Sequence, residues 1–90
     1  MKDRYILITG AAGSVGSELV RQLVDNNYIR CLDNNETALF DLVEELKLEG
    51  KSIEGRVGDI RDINTVRQCL KPNDGYHIDT VFHCAAYKHV

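Results

Sequence analysis

Four short apolar runs alternate along the chain with segments in which apolar residues recur every three or four positions. Residues 4–8 contain Tyr5-Ile6-Leu7-Ile8, an unbroken run of the length of a buried strand. Val15, Leu19, Val20, Leu23 and Val24 follow at helical spacing and predict a helix over residues 14–26, with Asn26-Asn27 at its end. Residues 28–32 read as a short second strand that ends at Asp33. Asn34 or Asn35 caps the next helix, over residues 36–48, and Glu36 puts a negative charge in its first turn. Leu39, Phe40, Leu42, Val43 and Leu46 line one broad face of that helix, and Gly50 stops it. A weaker strand over residues 53–57 leads into Gly58-Asp59-Ile60-Arg61-Asp62. Asp62 or Asn64 then caps a short third helix that carries Ile63, Val66 and Leu70. Pro72-Asn73-Asp74-Gly75 is a turn by composition. Residues 80–84 form the fourth strand, before Ala85-Ala86-Tyr87-Lys88-His89-Val90.

This βαβαβαβ order implies an α/β fold with a parallel sheet and right-handed crossovers. Rossmann-type winding predicts the strand order 3-2-1-4 and places a ligand at the carboxyl ends of strands one and four. The fourth strand lacks a following helix and an outer neighbour, whereas a parallel strand needs cover. The open edge therefore predicts pairing with another chain, a homo-oligomer. It also suggests that residues 1–90 are one domain at the N-terminal end of a longer protein.

Composition narrows the classes. The chain has 90 residues, 43% apolar and 28% charged, which is ordinary for a soluble globular domain. A net charge of −3 and no basic cluster exclude a nucleic-acid or membrane-surface binder. No run of about 18 apolar residues exists to form a transmembrane helix. Met1-Lys2-Asp3-Arg4 runs directly into a strand and not into a signal-peptide core, so the expected compartment is the cytoplasm. Cys31, Cys69 and Cys84 are odd in number and widely spaced, as reduced thiols in or near the core would be. His77, His83 and His89 lack the spacing of a zinc site, so no metal is expected.

The candidate chemistry begins at Thr9-Gly10-Ala11-Ala12-Gly13-Ser14-Val15-Gly16, which follows the first strand directly. Gly10 allows a tight turn, Gly13 removes a side chain that would block a phosphate, and Gly16 lets the next helix pack close. That helix points its N-terminal N–H groups and positive dipole end at the same place. A lone G-x-x-G-x-x-G is weak, but its position between a strand and an amphipathic helix favours dinucleotide binding over a merely tight turn. No Gly-Lys-Ser/Thr follows, which excludes a P-loop. Asp33 lies 17 residues after Gly16, where a carboxylate reaches the adenosine ribose hydroxyls and repels a 2′-phosphate, favouring NAD over NADP. The alternative is a strand-end turn aspartate that helps cap the second helix. Asp59 can accept from the adenine amino group while Ile60 packs on the ring; the alternative for Asp59 is a simple turn residue. Arg61 and Asp62 read as a solvated cap.

Taken together, the glycine turn, Leu32-Asp33-Asn34-Asn35-Glu36, Gly58-Asp59-Ile60-Arg61-Asp62 and Val81-Phe82-His83-Cys84-Ala85-Ala86-Tyr87-Lys88-His89-Val90 resemble the extended short-chain dehydrogenase/reductases. The likeness is to the polysaccharide-biosynthesis branch, the CapD-like nucleotide-sugar 4,6-dehydratases and epimerases. It covers essentially the whole chain, and the Ala-Ala-Tyr-Lys-His-Val end is its most specific piece. The resemblance implies tightly held NAD(P), a UDP-sugar substrate and transient oxidation at sugar C4, followed by dehydration or epimerisation. It carries Gly10, Gly13, Ser14, Val15 and Gly16 over as phosphate ligands, Asp33 for the ribose, and Asp59 and Ile60 for the adenine. It also places Ala85 and Ala86 beside the cofactor and lets Lys88 face the substrate; otherwise Lys88 is an exposed loop lysine. The family's Tyr-x-x-x-Lys base is missing, because Thr9, Leu32 and Thr80 stand four residues after Tyr5, Tyr28 and Tyr76, and Tyr87 has no position 91. The isolated chain is therefore expected to be inactive. The competing reading is a non-catalytic binding module: a stand-alone protein that senses dinucleotides, or a subunit that works only with a partner chain supplying the other half.

Overall fold

The computed structural model describes residues 1–72 and 75–84. Its elements are β1 (Tyr5–Thr9), α1 (Ser14–Leu23), β2 (Tyr28–Asp33), α2 (Glu36–Leu48), β3 (Ile53–Val57), α3 (Ile63–Leu70) and β4 (Thr80–His83). The four strands form one parallel sheet in the order β3-β2-β1-β4, as the alternation of elements implied.

Side-chain alternation divides the core. Ile6 and Ile8 of β1 and Ile29 and Cys31 of β2 join Val20 and Val24 of α1 and Leu39, Leu42, Val43 and Leu46 of α2 on one face. Leu7 and Leu32 point to the other face, where they meet Cys69 of α3, with Ile60 and Ile78 beside them. Burial on both faces explains why β1 reads as an unbroken apolar run.

Several boundaries and orientations differ from the sequence-based reading. β1 is Tyr5–Thr9 and not residues 4–8, since Thr9 pairs with Leu32 and His83 while Arg4 stays exposed. α1 ends at Leu23, three residues early, because the Asn27 side-chain amide donates to the Leu23 carbonyl at 2.8 Å and turns the chain. β2 runs one residue further, to Asp33, and β4 stops at His83. Asn35 caps α2 and Asp62 caps α3, which settles both open choices. Phe40 is 65% exposed: Leu39, Leu42, Val43 and Leu46 already fill the core-facing stripe, and Phe40 falls outside it. Val15 is also exposed, in the first turn of α1.

Arg30 is the main surprise of the core. It sits fully buried in β2, on the α3 face. Its Nη1 donates to the carbonyl oxygens of Cys69 and Lys71 at the carboxyl end of α3, and its Nε pairs with Glu54 at 3.0 Å. The cation thus ties α3 to the sheet where the helix dipole is negative. Replacing it (Arg30→Met) removes the nearer of two arginine partners of a half-buried Glu54 and strips both carbonyls of this donor. The expected cost is about 3 kcal/mol, a fall in melting temperature of roughly 12–24 °C for a domain this size. Thermal melts by circular dichroism check it, and an unchanged melting temperature would remove Arg30 from the account.

Candidate functional site

The carboxyl ends of β1 and β2 converge on the glycine turn. Gly10 adopts a φ of +67°, a left-handed conformation that side chains resist. Its N–H and that of Ala11 donate to the Leu32 carbonyl at 2.8 and 3.3 Å, and Gly13 N–H donates back to the Gly10 carbonyl at 3.1 Å. The turn is therefore fastened to the end of β2 before any ligand is considered.

Gly16 and Gly13 differ in what requires them. A Cβ on Gly16 would lie 2.1 Å from the Gly10 carbonyl oxygen and 2.9 Å from the Ala11 Cα, so α1 packs on the turn only because that atom is missing. A Cβ on Gly13 would meet nothing nearer than the Gly10 oxygen at 3.4 Å, an ordinary contact. Its φ of −76° and ψ of 175° suit any residue, and it is exposed. Nothing within the described fold requires a glycine there. Gly13 is also the N-cap residue of α1, which has no side-chain cap, whereas the side chains of Asn35 and Asp62 cap the other two helices. The N–H groups of Ser14 and Val15 lie in that uncapped first turn.

Asp33 stands at the end of β2, half-buried. One carboxylate oxygen accepts from Ala12 N–H at 2.9 Å and the other from Asn35 N–H at 2.8 Å. It thus joins the glycine turn to the start of α2, although Asn35 supplies the cap itself. Each oxygen keeps a second lone pair. The Asp33 carbonyl accepts from Gly58 N–H at 3.0 Å, which brings the Gly58-Asp59-Ile60 segment alongside. There the Arg61 guanidinium grips both oxygens of Asp59 and holds its carboxyl down at about 2, well below the usual carboxylate range. The Ile60 side chain is half-buried against the Leu7–Leu32–Cys69 cluster. Ala85, Ala86 and Lys88 lie outside the described residues.

Sequence reasoning missed one contact at this end of the sheet. The Thr9 hydroxyl and His83 Nδ1 are hydrogen-bonded at 2.6 Å, and Cys84 N–H donates to the Thr9 carbonyl at 2.9 Å. Together they pin β4 to β1 beside the turn. A polar residue closing an otherwise apolar strand was the available signal. Arg30, three residues before the strand-end Asp33 of β2, takes no part in the site; its guanidinium is committed to α3. A separate cleft of about 490 Å³ lies at the amino ends of the strands, lined by Tyr5, Asn27, Tyr28, Lys51 and Tyr76. It shares none of these features and holds a Lys51–Asp25 ion pair.

Residues 6–90 match the family described as Polysaccharide biosynthesis protein. The chain belongs to that family. This agrees with the resemblance read from the sequence, to the polysaccharide-biosynthesis branch of the extended short-chain dehydrogenase/reductases. Among this family member's relatives is an uncharacterized membrane protein of Methanocaldococcus jannaschii, 45% identical over 91 residues, an alignment covering 99% of this chain and 25% of that protein. Another is the UDP-glucose 4-epimerase of Rickettsia bellii, 31% identical over 98% of this chain and 26% of the epimerase. The X-ray structure of Pen from Bacillus thuringiensis superposes with a TM-score of 0.83 at 32% identity, over 99% of this chain and 27% of that one. The chain thus spans about a quarter of the length of these curated relatives. No helix among the described residues is long and apolar enough to cross a membrane.

Proposed function

We propose that this chain binds NAD across the carboxyl ends of β1 and β2, as the cofactor half of a nucleotide-sugar dehydratase or epimerase. The observation that carries the reading is Gly13. A glycine that its own fold does not need, exposed at the uncapped start of α1, is explained by a pyrophosphate lying where a side chain would otherwise stand. The N–H groups of Ser14 and Val15 face that pyrophosphate, and Gly16 keeps α1 close enough to present them. Asp33 accepts from the ribose hydroxyls with the lone pairs that Ala12 and Asn35 leave free. Asp59 and Ile60 receive the adenine, while Ala85 and Ala86 run beside the cofactor.

When bound, the nicotinamide would accept a hydride from a sugar carbon and return it. The chain's own part is to bind and orient it, because no Tyr-x-x-x-Lys base occurs in the sequence. Membership of a polysaccharide-biosynthesis family and likeness to a UDP-glucose 4-epimerase support a UDP-sugar as the substrate of the complete active site. Lys88 facing that substrate, and association of copies through the β4 edge, belong to the same proposal.

The NAD preference is open to direct test. A 2′-phosphate would meet the Asp33 carboxylate, and the buried Arg30 guanidinium is committed to α3. Isothermal titration is expected to show NADP+ binding at least about tenfold more weakly than NAD+, the equivalent of one like-charge contact. Asp33→Asn should bring the two within about threefold. Equal affinity in the unaltered protein would overturn the preference.

A further inference from the structure

The two carboxylates of the proposed site are not equally free. Each oxygen of Asp33 accepts one main-chain N–H, which leaves two acceptor positions for ribose hydroxyls. Asp59 is engaged by Arg61. Its Oδ1 accepts from Arg61 N–H at 2.9 Å and from Arg61 Nε at 3.1 Å. Its Oδ2 accepts from Nε at 3.1 Å and from Nη2 at 2.7 Å. Three N–H groups of one residue thus converge on the two oxygens, with the single Nε hydrogen shared between them. The Arg61 side chain is 81% exposed, so solvent can take it up if it lets go.

We propose that Arg61 is a specificity-determining residue of the adenine subsite, because a base bearing an amino group must displace its guanidinium from Asp59. This rests on the dinucleotide reading above. Two consequences follow from donor and acceptor chemistry. An adenine amino group is a donor and competes with Arg61 for the carboxylate. A hypoxanthine ring carries an oxo acceptor at the same position, which repels the bare carboxylate and is tolerated only while the guanidinium stands between them. Arg61 therefore weakens the grip on adenine and broadens the choice of base.

The test uses NAD+ and nicotinamide hypoxanthine dinucleotide, which differ in the amino or oxo group at C6 and in the hydrogen that hypoxanthine carries on the adjacent N1. Both are titrated by calorimetry into the unaltered protein and into Arg61→Ala, with circular dichroism confirming the fold. An exposed ion pair of this kind sets the scale of the competition. Arg61→Ala is expected to tighten NAD+ about two- to fivefold and to leave the hypoxanthine dinucleotide unchanged or weaker. Arg61→Gln, a poorer donor to the carboxylate, should fall between. In an Asp59→Ala background, the Arg61 substitution should have no effect on NAD+. If the unaltered protein binds NAD+ but Arg61→Ala leaves it unchanged or weakens it, the competition is absent and this proposal alone fails. If the unaltered protein binds neither dinucleotide, the dinucleotide reading fails first and takes this one with it.

Discussion

Gly16→Ala is expected to destabilise the protein by about 3 kcal/mol or more, lowering its melting temperature by roughly 12–24 °C. Two effects of opposite sign compete. Alanine is a better helix former than glycine by about 1 kcal/mol, which alone would stabilise α1. Against this, the new methyl would lie 2.1 Å from the Gly10 oxygen, 2.8 Å from its carbonyl carbon and 2.9 Å from the Ala11 Cα. These are backbone atoms, so no rotamer change relieves the clash. Relief requires α1 to move off a turn that is itself bonded to β2 and packed on fully buried Ala11 and Val20. The clash wins. A melting temperature equal to or above that of the unaltered protein would show that α1 can lift from the turn at little cost.

Gly13→Asp has the opposite signature. The backbone there is ordinary for any residue, and a Cβ fits with an ordinary contact. Aspartate is among the best N-cap residues and would supply the cap that α1 lacks, so stability should stay level or rise by up to about 1 kcal/mol. Binding should collapse. The new carboxylate would stand against the pyrophosphate, and like-charge juxtaposition costs several kcal/mol, which corresponds to a loss of more than about 100-fold in affinity for NAD+. Calorimetric titration next to a thermal melt reads both numbers on one sample. A merely tight strand–helix turn would give the melt without the loss of binding.

The pair also shows why the sequence carried so much of this fold. Strands buried on both faces read as unbroken apolar runs, and Ile6-Leu7-Ile8 left little choice for β1. Glycines at fixed spacing after such a run constrain the backbone, so the turn was legible as well. What escaped was whatever depends on which side chain bonds which partner in three dimensions. The apolar spacing of α1 continues past Leu23, but Asn27 bonds the Leu23 carbonyl and ends the helix. Phe40 shares the hydropathy of its neighbours, and only the three-dimensional stripe excludes it. Arg30 in mid-strand looks like an interruption until the carboxyl end of α3 arrives beside it, some 40 residues later. Asp33 and Asp59 were found by position, but sequence could not show that Arg61 already grips Asp59 while Asp33 keeps room.

The central claim is that the glycine turn and the carboxyl ends of β1 and β2 hold a dinucleotide. A titration of the isotopically labelled protein with NAD+, followed through its backbone amide NMR signals, tests it most directly. The largest shifts are expected at Gly10, Gly13, Ser14, Val15 and Gly16, with a second group at Asp33 and Asp59, saturating together on one binding curve. Signals that do not move at millimolar NAD+, or that move only around Tyr5, Tyr28 and Lys51 at the amino ends of the strands, would contradict it.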